Sequence, residues 1–171
     1  MGFLHNLRMS LLSAWLGVAI YFSAVVAPSA FGVLRSFNLP NSSEVAGTIV
    51  TRTLSVVNTS GFGLSLLLLV TAFGLNRAFK RWSFILQLLL IVVIAAATAV
   101  GEWVIAARMR GLRLAMHGQI DQVPLADPNR LAFAALHGYS VAALVIAMMA
   151  SLTVILLMLL SREKELQPAT K

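Results

Sequence analysis

Leu131–Ser161 reads LAFAALHGYSVAALVIAMMASLTVILLMLLS, without one Asp, Glu, Lys or Arg. A helix needs about 20 predominantly apolar residues to cross a hydrocarbon core about 30 Å thick, and this run exceeds that. Three more runs share the property: Met9 to Leu34, Thr53 to Asn76, and Trp82 to Gly101. Arg8, Arg35, Arg52, Arg77, Arg81, Glu102, Arg130 and Arg162 mark their limits. The chain is therefore expected to be all-α: an integral membrane four-helix bundle of up-down topology. It forms a single transmembrane domain over 1–171, with membrane helices near 9–34, 53–76, 82–106 and 131–161.

Composition leads to the same place. Of 171 residues, 59% are apolar and 11% charged, and mean hydropathy is +0.88. Soluble domains carry about 25% charged residues, so this chain lacks the polar surface that water requires. Its formal net charge is +7. The basic residues flank apolar runs, without the aromatic or glycine patterns of a nucleic-acid fold, so headgroups are the expected contact and nucleic acid is not. Cysteine is absent, which excludes disulfides, thiolate metal sites and cysteine nucleophiles.

Local signals place the ends. The first run is longer than the apolar core of a secretory signal, which usually spans about 7–15 residues, so it is expected to remain as a membrane helix. Pro28 should kink it near its far end. Pro40 stops a helix, and Asn41 with Glu44 resembles a capping box, so the second helix should begin near Ser42. The short connection from Asn76 to Arg81 makes helices two and three an antiparallel hairpin. Helix three should continue past Glu102 towards His117 and Gly118. Asp127-Pro128 is a strong start for helix four, with Asp at the N-cap and Pro at the first helical position.

Orientation rests on the Lys/Arg distribution. Arg8, Arg77, Lys80, Arg81, Arg162, Lys164 and Lys171 lie on the side of both termini. Arg35, Arg52, Arg108, Arg110, Arg113 and Arg130 lie on the other. The compact Arg77-Lys80-Arg81 cluster sits in the shortest loop, where positive charge weighs most, and predicts cytoplasmic termini in an inner (plasma) membrane.

The residues with chemistry gather at the other end. At 3.6 residues per turn, Thr98, Glu102, Met109, Arg113 and Met116 share one stripe of helix three. Arg130, Phe133, His137 and Val141 share a face of helix four. Ionisable groups at membrane depth face the bundle interior and pair, so Glu102 is expected to meet Arg113, Arg130 or Arg52. A polar vestibule is expected from Asn58, Glu102, Arg113, Arg130 and His137. Met109, Met116, His117 and His137 carry the thioether and imidazole groups that suit copper(I). Their spacing is not that of a copper channel, so no bound metal is expected, and His137 should hydrogen-bond inside the bundle. Ser55, Thr59 and Gly63 form a small-residue stripe suited to close helix packing. No nucleophile–base set, HExxH, paired carboxylates or phosphate loop is present, so neither enzymatic activity nor a cofactor is expected.

One resemblance adds to this reading. Trp15-Leu16-Gly17-Val18-Ala19-Ile20-Tyr21-Phe22 continuing to Ala27-Pro28-Ser29-Ala30-Phe31 resembles the opening helix of a bacterial uncharacterised-domain family related to human transmembrane protein 205. It is distantly similar to copper-resistance D membrane proteins. Ala46-Gly47, the Glu102…Arg108-Met109-Arg110 segment and Phe133-Ala134-Ala135-Leu136-His137-Gly138-Tyr139-Ser140 extend the match. The resemblance implies a four-helix membrane protein linked to metal or drug tolerance. The expected function is transport or tolerance of a small solute or metal without enzymatic activity. The alternative is an accessory subunit of a larger redox or photosynthetic membrane assembly. The partners are the lipid bilayer and, in the second case, other membrane subunits.

Overall fold

The computed structural model describes residues 2–72 and 81–166, and every regular element among them is helical. The first rod is α1 (Gly2–Tyr21), a π turn over Phe22–Val26, and α2 (Ala27–Ser36). The second is α3 (Ser42–Ala72). The third is α4 (Arg81–Ala99), a second π turn over Val100–Ile105, and α5 (Ala106–Ala115). The fourth is α6 (Pro128–Leu166). All four are long and apolar enough to cross a membrane. The all-α, four-span architecture expected from the apolar runs is the one observed. Each rod packs on its neighbour in sequence, and α1 closes the ring against α6.

The helices outrun the hydrophobic stretches because backbone hydrogen bonding propagates once started, whatever the polarity of the side chains. Helix two begins at Ser42, about three turns before its uncharged stretch. Its expected capping box is replaced: Glu44 is engaged elsewhere, and Val45 N–H bonds to the Asn41 carbonyl at 3.1 Å. Asp127 caps α6 as expected, its Oδ1 accepting from the Asn129 and Arg130 amides at 2.8 and 3.1 Å. Pro28 falls in the first turn of α2, just after the π turn. A proline removes one amide and crowds the carbonyl four residues back, and the wider turn accommodates that crowding. Asn76, Arg77 and Lys80, on which the tight hairpin and the orientation reading rest, lie outside the described residues.

The core runs along the bundle axis, with Leu12, Leu68, Ile91, Ile94, Val154 and Met158 fully buried. Val70, Leu89, Ile146 and Leu156 are among the many large apolar side chains that point outward. In water such a surface would be untenable, whereas lipid is as apolar as the side chains themselves. The chain is therefore a multi-pass helical bundle whose outer surface calls for bilayer contact.

The small-residue stripe of helix two does not pack as expected. Thr59 is exposed, and Gly63 has open space where a Cβ would stand. Close approach occurs instead at Gly61, where an added Cβ would lie 2.7 Å from the Trp15 ring. The Trp15 indole N–H donates to the Val57 carbonyl at 3.0 Å, which seats the ring against the second rod.

Candidate functional site

Glu102 sits inside the second π turn, half-buried between the second and third rods. Ser55 Oγ donates to its Oε1 at 2.9 Å. No arginine among the described residues pairs with it, so the expected ion pair is replaced by a hydroxyl. The physical reason is geometric. Arg113 stands eleven residues further along, about 16 Å at 1.5 Å per residue, and is held at the end of the bundle. There its Nη2 lies 2.6 Å from Glu44 Oε2 and its Nη1 donates to the Gly118 carbonyl at 2.7 Å.

Asn58 is almost fully buried, one turn from Ser55. It faces Gly101, where an added Cβ would come within 3.1 Å of Asn58 Nδ2. Gly101 is buried too, and its missing side chain makes room for the amide. Thr98, also buried, turns its hydroxyl back to the Ile94 and Ala95 carbonyls at 2.8 and 3.1 Å. Next to Glu102, Trp103 meets Phe62 edge to face, with ring centroids 4.9 Å apart and planes at 80°. This pair covers the same seam between the second and third rods.

The five expected vestibule residues fall into three places. Asn58 and Glu102 come together with Ser55 in the seam between the second and third rods. Arg113 and Arg130 tie down the third connection: Arg130 Nη1 donates to the Val123 carbonyl, as Arg113 does to Gly118. His137 lies apart on the outer side of α6. It is exposed and makes no hydrogen bond within the described residues, contrary to the internal bond expected of it. It lines a cleft of about 330 Å³ among the first, second and fourth rods, together with Phe22, Phe31, Val50, Leu54, Ser140 and Leu144.

The sequence places Ser55 in the packing stripe, whereas its hydroxyl is the group that meets Glu102. Its spacing from Asn58, three residues on a helix and therefore one face, was the available signal. Of the methionine and histidine set, Met109 and Met116 are half-buried, while His117 is exposed at the end of α5 with φ 48°. Among the described residues no group of three or more His, Asp or Glu side chains could hold a metal ion. At Glu102 the oxygens that meet are a carboxylate and a hydroxyl. Such hard donors suit a proton or a hard cation better than copper(I).

A family model described as a domain of unknown function (DUF4149) matches residues 10–118. That match contains Ser55, Asn58, Gly101 and Glu102 and stops short of the fourth rod. No curated protein and no solved structure matches the chain. A model covering well over half of the chain, and with it three of the four membrane-length rods, makes this protein a member of the DUF4149 family.

Proposed function

We propose that this protein is a non-enzymatic inner-membrane protein, both termini cytoplasmic, that supports transport or tolerance of a small solute or metal. Glu102 is the residue on which that solute depends. One observation carries the reading: a carboxylate held between membrane-length helices meets a serine hydroxyl and, among the described residues, no arginine. Ionisable groups at such positions are costly and commonly mark ion or substrate pathways. The surrounding π turn supports the same reading, because such turns occur frequently at functional sites. The oxygen donors favour a small hard cation, a proton included, as the species handled.

The test is flux in proteoliposomes holding a pH-sensitive dye, with proton, sodium and manganese gradients applied in turn. Flux of one of these ions is expected from the parent and its loss from Glu102→Gln, which keeps shape and removes charge. Equal flux in parent and variant, or none above empty liposomes, overturns the reading.

A further inference from the structure

The cleft among the first, second and fourth rods contains chemistry that the Glu102 site does not use. Its walls are apolar, from Phe22, Ala27, Pro28 and Phe31 on one side to Leu144 and Met148 on the other. At one end stand His137 and Ser140, three residues apart and so on one face of α6. Ser140 is only 7% exposed and lines the cleft. Its hydroxyl has no partner within the described residues, nor has the imidazole of His137. Buried hydroxyls are normally satisfied, so two unengaged donors at the end of an apolar cleft point to a ligand acceptor. An imidazole N–H and a hydroxyl can each offer a hydrogen to it.

Depth and shape narrow the ligand. His137 lies seven residues beyond Arg130, about 10 Å along the helix at 1.5 Å per residue. Phe31 lies four residues before Arg35, about 6 Å by the same rise. The polar end of the cleft is therefore below the arginine layer, inside the hydrocarbon, where a charged or zwitterionic head is costly. A neutral head that dissolves in hydrocarbon can reach it. Phe31, half-buried beside the polar end of the cleft, offers aromatic surface for a flat ring, which favours stacking over an aliphatic chain. The volume, about 330 Å³, is at the small end of ligand sites, enough for a ring head and not for a bulky lipid. Val141 and Val145 on the rim are exposed on the bundle surface, so a tail can leave sideways into the bilayer.

We propose that this cleft binds a membrane quinone, its ring against Phe31, one carbonyl oxygen accepting from His137 and Ser140, and its tail in lipid. Binding of this kind is independent of Glu102.

The experiment is equilibrium binding of tritiated decylubiquinone to the full chain in phosphatidylcholine nanodiscs, with empty discs as background. Expected is saturable binding near one per chain, displaced by unlabelled decylubiquinone and not by decylbenzene or palmitate. His137→Ala and Ser140→Ala should each weaken it at least ten-fold, while His137→Gln, which keeps a donor, recovers part of the loss. Val141→Trp obstructs the mouth from an exposed rim position without touching the core, and should abolish binding at an unchanged unfolding temperature. Uptake equal to empty discs overturns the proposal. Equal displacement by palmitate or decylbenzene also overturns it, since that describes a slot for any hydrocarbon chain. Parent-like binding in all three loss variants overturns it as well.

Discussion

Ser55 and Glu102, 47 residues apart in sequence, are joined by a 2.9 Å hydrogen bond between the second and third rods. The hydroxyl donates and the carboxylate accepts, so the bond satisfies one oxygen of an acid that has no cationic partner within the described residues. The bond also fixes how the π turn at Val100–Ile105 meets α3.

Removing the donor should therefore cost more than removing the charge. Ser55→Ala leaves the carboxylate without its partner and is expected to lower stability by about 1–3 kcal/mol. Glu102→Gln keeps an acceptor oxygen for Ser55 and should change stability by less than about 1 kcal/mol. Thermal unfolding of the purified variants in detergent, followed by circular dichroism, measures both. A Ser55→Ala variant as stable as the parent would contradict the arrangement.

Gly61→Ala should be among the most damaging single-methyl additions in the chain. Its Cβ would meet the Trp15 ring at 2.7 Å, and that ring is buried and tethered to the Val57 carbonyl. Overpacking of this kind costs about 1–3 kcal/mol. Trp15→Phe frees space at the contact, so the double variant should lose less than the sum of the single losses. Additive losses would indicate that the two residues do not press on each other.

The Glu44–Arg113 pair closes the far end of the bundle at 2.6 Å, with side chains 34% and 24% exposed. Partial exposure and screening limit its coupling to about 0.2–1 kcal/mol. A double-mutant cycle with Glu44→Gln and Arg113→Gln should return a value in that range at low salt. Raising ionic strength to about 1 M, where the screening length falls to about 3 Å, should reduce it. Coupling insensitive to salt would mean that the pair is more deeply shielded than its exposure indicates.

Asp127→Ala removes the acceptor for two amides at the start of α6 and should cost about 0.5–2 kcal/mol. Asp127→Asn keeps an acceptor in the same place and should cost clearly less. The readout is the thermal midpoint of each variant, and equal losses would remove the cap from the account.

Topology is accessible because the chain has no cysteine of its own. Single cysteines at Ser43 and Gln122 should react with an impermeant maleimide applied outside the cell, and one at Asn76 should not. Labelling confined to Asn76 would invert the orientation.

The four spans were legible in the sequence because crossing a bilayer is a per-residue property. Each ionisable side chain adds its own cost in hydrocarbon, so uninterrupted lengths such as Leu131–Ser161 declare themselves in one dimension. Helix starts were legible for the same reason of locality. Asp127 reaches amides two and three residues away and needs nothing from the rest of the fold. Glu102 was readable as an interior acid, yet its partner was not. Ser55, Arg113, Arg130 and Arg52 all belong to the same end of the rods, and the choice depended on the height and rotation of each rod. The π turns at Phe22–Val26 and Val100–Ile105 carry no reliable local signal, and each turns the residues beyond it relative to an ideal helix. Glu44 rather than Glu102 meets Arg113, Gly61 rather than Gly63 meets a neighbour, and His137 opens onto a lateral cleft instead of the bundle interior, because the height and rotation of the packed rods decide which faces meet. Apolarity summed along the chain determined that it spans a membrane four times. Which polar groups meet was decided only where the packed rods bring side chains within hydrogen-bond reach, because such bonds lapse beyond about 3.5 Å.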